Sequence, residues 1–182
     1  MANIRQIVRR LAGTEAAEIA EVAVVLPLVF TLLLGIVWFG RAFNIYSTIT
    51  QAAQQGAITA AREACATCGA PGLPSAGTVD TAVTAVLKAS SLDVTQITQW
   101  EANNPTPGLL ACPAPAPAPA CSVTANKVWV CSSVLLNSST QPTPQCGAMV
   151  SFQFPFKFYL PFTSLNMQQI TMSAQGQSRM EN

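Results

Sequence analysis

The chain has 182 residues, of which half are hydrophobic and only 9% are charged, with a formal net charge of +1. Soluble domains carry about one quarter charged residues, so this balance points to a membrane or exported product and excludes a strongly basic nucleic-acid binder. Histidine is absent, which removes the usual general base and the commonest zinc ligand, while the six cysteines suit an oxidising compartment.

Residues 1–13 contain Arg5, Arg9 and Arg10 and no acidic residue. They lead into Gly13-Thr14-Glu15-Ala16-Ala17-Glu18-Ile19. Thr14 is placed to cap a helix, and Glu15 and Glu18 fall in its first turns, where the helix dipole favours negative charge. Glu15, Glu18 and Glu21 nevertheless recur at a spacing of three, which sets like charges side by side and works against the helix. A carboxylate this close to an apolar run is costly, and such residues are functional candidates by default.

From Val22 to Gly40 runs VAVVLPLVFTLLLGIVWFG, free of formal charge. As a helix it covers roughly 28 Å, close to the hydrocarbon thickness of a bilayer. Trp38 and Phe39 close the run and Arg41 follows, an arrangement typical of a membrane interface. A cleaved secretory signal has a shorter apolar core and a small-residue exit, so a permanent span is expected. Arginines crowd the N-terminal side, whereas Arg41 and Arg62 are the basic residues of the stretch that follows. The positive-inside rule then leaves the N-terminus in the cytoplasm and everything after Gly40 outside, where all six cysteines lie. Pro27 is read as a tolerated kink within the span.

Beyond Arg41 the stretch FNIYSTITQAAQQGAITAAREA holds no proline. Ala42, Tyr46, Ile49, Ala53, Gly56 and Ala60 recur in steps of three and four and form one helical face. Most are small, so another backbone can approach closely. A helix from Thr14 to about Ala64 is roughly 75 Å long, more than one bilayer accommodates. Its outer half is therefore expected to serve as a spine for a folded domain.

These residues carry a resemblance. The run from Gly13 to Arg62 resembles the TadE-like family, minor pilins or pseudopilins of the Tad (Flp) subclass of type IV pili. The family's prepilin-peptidase site is a glycine, four residues, then glutamate and an aromatic; here Gly13, TEAA and Glu18 match, and Ile19 stands in the aromatic position. VLPLVFTLLLGIVWFGRAF and QAAQQGAITAARE are similar to the family's helix, and ITMSAQGQSRMEN, with Arg179 and Glu181, resembles its closing strand. The resemblance implies cleavage between Gly13 and Thr14, which would remove three of the nine basic residues and no acidic one, leaving six against eight and a net charge of −2. It further implies that Glu18 pairs with the free amine of a neighbouring subunit inside the membrane, where low dielectric favours pairing over two isolated ions.

After the spine, Gly69-Ala-Pro-Gly-Leu-Pro breaks the helix. A second helix is expected from about Thr78 to Ala89, with Thr78 as its cap, Asp80 in its first turn, Lys88 near its end and Val79, Val83, Val86 and Leu87 on its buried stripe. Strands are expected at Val94–Trp100, Lys127–Val134, Ala148–Phe154 and Gln169–Gln175. Phe156, Phe158, Leu160 and Phe162 continue the alternation, but Pro155 and Pro161 confine that part to an edge or an irregular connection. The fold expected is α+β: a long N-terminal transmembrane helix continuing as a spine, with a second helix and a small, mostly antiparallel sheet packed on it.

Cys112 and Cys121 flank the Pro/Ala loop 113–119. Fully extended, the segment between them spans roughly 28 Å, and a disulfide needs Cα atoms within about 7 Å. Either it folds back or each cysteine has another partner. Cys131 and Cys146 flank a polar turn between two expected strands, and a bridge across that hairpin is the pairing expected first. Cys65-x-x-Cys68 is a redox-type spacing, yet no thioredoxin-like βαβ context surrounds it, so structural pairing is favoured.

The organisation expected is a cytoplasmic leader at 1–13, a long helix at 14–68 with its span at 22–40, and an exported disulfide-containing domain at 69–182. No catalytic residue, metal, cofactor or nucleic-acid partner is expected, and no phosphate-binding motif is present. The function implied is that of a structural protein, a minor pilin or pseudopilin of the bacterial inner membrane. Its partners would be like subunits, a prepilin peptidase, the inner-membrane assembly machinery and the lipid bilayer. The competing expectations are a membrane-anchored periplasmic binding or adhesive module that never polymerises, and a thiol oxidoreductase using Cys65 and Cys68.

Overall fold

The computed structural model describes residues 14–62, 74–100, 109–112, 119–137, 143–157 and 169–180, with side chains from Glu18 onward. Helix α1 spans Thr14–Ala61, α2 spans Ala76–Ala89, and the strands are β1 (Ala120–Val123), β2 (Trp129–Leu135), β3 (Cys146–Lys157) and β4 (Gln169–Arg179). The expected α+β class, with a long apolar N-terminal helix and a small antiparallel sheet, is the fold observed. The chain divides into two compact units, residues 1–43 and 44–182, so that α1 supplies residues to both.

In the second unit, α1 buries one stripe: Thr48, Ile49, Ala52, Ala53, Gly56, Ala57, Ala60 and Ala61. The steps of three and four follow helical periodicity. The polar member, Thr48, turns its hydroxyl back to the Asn44 carbonyl at 2.9 Å, so its burial leaves no unmet donor. Small residues let the sheet approach very near. A Cβ on Gly176 of β4 would collide with the backbone of Ala53, and one on Gly56 would lie 2.6 Å from Val83 Cγ2 and 3.2 Å from Val150 Cγ1. Ala148, Val150, Phe152 and Phe154 of β3, with Ala174 of β4 and Val79, Val83 and Leu87 of α2, complete this core.

Helix α2 begins earlier than expected. Its cap is Ser75, whose side chain accepts from the Thr78 N–H, rather than Thr78 itself. Capping requires an oxygen that reaches an amide two or three positions on, and Ser75 stands at that distance. Asp80 is drawn into a tertiary role. Its carboxylate accepts from Thr124 Oγ1 and Asn126 Nδ2, both at 2.6 Å, and so pins the turn between β1 and β2 to the helix. Lys127 in that turn adopts a left-handed φ of 62°.

The strand expected at Val94–Trp100 does not form. Asp93 accepts from the Thr95 hydroxyl at 2.7 Å and its amide at 3.0 Å, which winds Val94–Gln96 into a 3-10 turn. The same bonds, the hydroxyl's first, hold the Asp93 carboxyl below its usual range. Only Thr98 joins the sheet, exchanging two backbone bonds of 2.9 Å with Gln153.

The sheet order is β1-β2-β3-β4, antiparallel throughout. Pro155 lies inside β3, opposite Thr171 of β4. Gln153 sends its N–H toward Thr98 and away from β4, so two residues on, the N–H that proline lacks would face the same way. The β2 ladder has already ended there, at the Trp129–Ser151 pair. Among the described residues no strand pairs with Pro155 on that side, in keeping with its missing donor. Phe156 is buried, whereas Phe158, Leu160, Pro161 and Phe162 lie outside the described residues.

A bulge in β2 decides the far face of the sheet. Cys131 pairs with Met149 and Val134 with Gly147, so three steps on β2 match two on β3, with Ser133 at φ 57°. The extra residue brings Cys131 and Val134 to one face, where they form a second small core with Met149, Leu109, Trp129 and Leu136. Two disulfides staple it: Cys121–Cys131, with Cα atoms 4.0 Å apart, and Cys112–Cys146, at 5.3 Å. The expected Cys131–Cys146 bridge is therefore not formed. Cys146 stands opposite Leu135, at the other end of β2, while Cys131 faces Cys121 directly across β1. Cys112 and Cys121 do have other partners. Cys65 and Cys68 lie outside the described residues.

Two glycines carry opposite expectations. Gly176→Ala should destabilise by about 1–3 kcal/mol or more, because overpacking displaces backbone. Gly77→Ala, whose Cβ would meet nothing nearer than Ser75 Oγ at 3.8 Å, should stabilise by about 0.5–1 kcal/mol through helix propensity. Denaturant midpoints of the detergent-solubilised chain test both signs. Peptide mapping without reductant should recover Cys112 linked to Cys146 and Cys121 linked to Cys131.

Candidate membrane and assembly segment

The first unit is the N-terminal part of α1. Its large side chains point outward on every side: Val24 is 74% exposed, Leu26 63%, Leu28 66%, Phe30 57%, Leu33 53% and Val37 66%. Consecutive positions are exposed, so the apolar surface runs all round this part of the helix. A helix apolar all round belongs in lipid or among other apolar helices, because water would have to cover it otherwise. It is long and apolar enough to cross a membrane by length and composition.

The ends of this stretch are polar. Glu18 and Glu21 are exposed at the N-terminal end, next to Ile19, itself 70% exposed. At the other end the Arg41 guanidinium lies 5.8 Å from the Trp38 ring centroid. This cation–π pair at i, i+3 holds a charge and an amphipathic ring together, the combination favoured at a bilayer surface. Pro27 lies within α1 without ending it. It has no N–H to offer the Ala23 carbonyl, and membrane helices commonly tolerate such an interruption. Thr31 meets its own need by donating to the Leu28 carbonyl at 2.9 Å.

Family comparison bears on this same helix. Residues 16–57 match the family model described as TadE-like protein. This stretch of the chain is TadE-like. Neither a curated protein nor a solved structure matches the chain. The TadE-like match takes in Glu18, the apolar stretch and the buried stripe as far as Ala57. It does not extend to Gly13 or to the C-terminal ITMSAQGQSRMEN.

The sequence-derived residues separate into groups. Gly13 lies outside the described residues, and Thr14 is the first residue of α1. Glu18 is exposed. Of the proposed packing face, Ile49, Ala53, Gly56 and Ala60 lie together in the core of the second unit, Ala42 is half-buried, and Tyr46 is 50% exposed. Gly176 was not singled out in the sequence, although a glycine within an otherwise alternating strand is a signal for close backbone approach.

Placing a charge in the middle of the TadE-like helix gives a direct test. Leu33→Arg should oppose membrane insertion by about 3–4 kcal/mol, the cost of the arginine added to the loss of the leucine. Alkaline extraction of membranes should leave the parent chain in the pellet and release a larger share of the variant.

Proposed function

We propose that this protein is a minor pilin or pseudopilin, a structural component in the assembly of a Tad/Flp-type IV pilus. The observation that carries the reading is the joining, in one TadE-like helix, of an outward-facing apolar run with an exposed glutamate at its N-terminal edge. The apolar run provides the membrane anchor and the surface for like helices. The stripe from Thr48 to Ala61 is used by the chain's own domain, so contacts with other subunits fall to the earlier residues.

In this reading the N-terminus is cytoplasmic and the disulfide-bonded domain is periplasmic or extracellular. A prepilin peptidase cuts after Gly13, and Thr14 acquires a free amine. Glu18 of one subunit then pairs with that amine on its neighbour, a contact whose strength comes from the low dielectric of the membrane. Delivery and polymerisation fall to the inner-membrane assembly machinery. The role is structural rather than catalytic.

N-terminal sequencing of membrane-extracted protein should return a chain beginning at Thr14. A chain beginning at Met1 or Ala2, together with a monomeric state, would instead favour an anchored binding module. Glu18→Ala should abolish filament incorporation while leaving the thermal unfolding of the domain unchanged. Normal filaments from that variant would remove the pairing role.

A further inference from the structure

The apolar run of α1 ends at Gly40, and Arg41 is the next residue. Its guanidinium carbon lies 5.8 Å from the centre of the Trp38 ring, which belongs to the preceding turn. The side chain therefore leans toward the helix N-terminus, the direction helical side chains favour. That lean has opposite consequences at the two ends of a span. At the N-terminal end it carries a basic group toward water. At the C-terminal end, where Arg41 stands, it carries the charge back over the apolar run. A long basic side chain at an interface otherwise keeps its head in water. Here the cation is held at the level of a tryptophan.

Aromatic rings mark that level from both sides. Trp38 is half-buried, while Phe39 and Phe43, one helical turn apart on the same face, are 74% and 73% exposed. Aromatic side chains of spanning helices collect where acyl chains give way to headgroups. A cation at this depth is costly unless an anion meets it. The helix offers none nearby, since Glu21, the closest carboxylate within α1, lies about 30 Å back along the axis. Among the described residues Arg41 forms no ion pair. Trp38 uses only part of what the guanidinium can do. The ring attracts the cation through its π face, and the planar fork still carries five N–H donors. Those donors match phosphate oxygens two at a time, with N···O distances of about 2.7–2.9 Å.

We propose that Arg41 binds the phosphate of a membrane phospholipid, with Trp38 as the residue that positions its guanidinium. The occupant is a phosphodiester headgroup of the leaflet at the Gly40 end of the span, with Phe39 and Phe43 among the glycerol and upper acyl groups beside it. The contact sets the depth of the whole helix. Counting back from it by the hydrocarbon thickness, about 30 Å or roughly 20 residues, reaches Glu21, so both charged ends of the apolar run meet headgroups. The proposal rests on α1 crossing a bilayer, as in the reading above, and is independent of pilus assembly.

Solid-state NMR of the full chain in phosphatidylcholine vesicles tests it. In a phosphate-free buffer all phosphorus belongs to lipid, so with arginine labelled at Cζ, dephasing by phosphorus detects guanidinium groups in contact with headgroups. The parent should show one more dephased arginine carbon than Arg41→Lys, which keeps the charge and removes the guanidinium. Trp38→Leu, which keeps apolar bulk without the ring, should lower the Arg41 dephasing at least about twofold, and Trp38→Tyr should retain most of it. Magnetisation passed from acyl-chain protons to leucine methyl groups reports insertion of the span in each sample. Equal dephasing in the parent and Arg41→Lys, with acyl contact retained, overturns the phosphate contact and leaves the span in place. Loss of acyl contact in the parent overturns the membrane reading and this proposal with it. Dephasing unchanged in Trp38→Leu overturns the positioning role of the ring.

Discussion

The second unit depends on how closely one helix backbone can approach one strand. At Ala53 and Gly176 the two main chains come so near that no side-chain atom fits between them. The alanine-rich stripe of α1 makes that approach possible, and Val150, Phe152 and Val83 fill the space on either side. Small residues bury little area individually, so the stability of this contact comes from close packing against larger neighbours. Phe152, Ile49, Leu87 and Ile97, all fully buried, supply about 1.5–3 kcal/mol each by removal from water. The approach also fixes which residues of β4 face α1, because Gly176 has to do so and the rest of that strand alternates in steps of two.

The far face of the sheet is built on different physics. It has little apolar surface of its own: a methionine, a valine, half-buried leucines and a tryptophan around Cys131. Covalent bonds provide what burial does not. Each disulfide ties the segment preceding β2 to a strand, one to β2 and the other to β3, and thereby limits the freedom of the unfolded chain. Sulfur also takes part in polar contacts there, with the Trp129 indole N–H donating to Cys131 Sγ at 3.0 Å. Such staples persist in an oxidising compartment and are rare in a reducing cytoplasm.

Much of this was legible in the sequence because it was periodic. The apolar run of α1 announced itself by length, β3 and β4 by alternation, and α2 by its valine spacing. The features that escaped were those decided by a single side chain or by tertiary context. Ser75, not Thr78, caps α2 because its oxygen has the right reach, and Asp93 diverts the start of an expected strand into a 3-10 turn. β1 is only four residues, Ala-Cys-Ser-Val, too short to give a strand signal, and forms by pairing with β2. The disulfide pairing followed from that hidden strand and from a bulge at Ser133, neither of which spacing between cysteines can reveal. For the N-terminal part of α1, a helix long and apolar enough to cross a membrane was readable from composition and length.

The two disulfides have a consequence for the Pro/Ala stretch between them. Cys112 and Cys121 are each locked to the sheet, and Cys112 is also hydrogen-bonded alongside Ser133. Both ends of the stretch are thus held covalently, Cys112 to β3 and Cys121 to β2. Because closing a longer loop costs little additional entropy, this position offers a natural insertion point. An epitope or tag grafted there would join the disulfide-bonded domain at two covalently held ends.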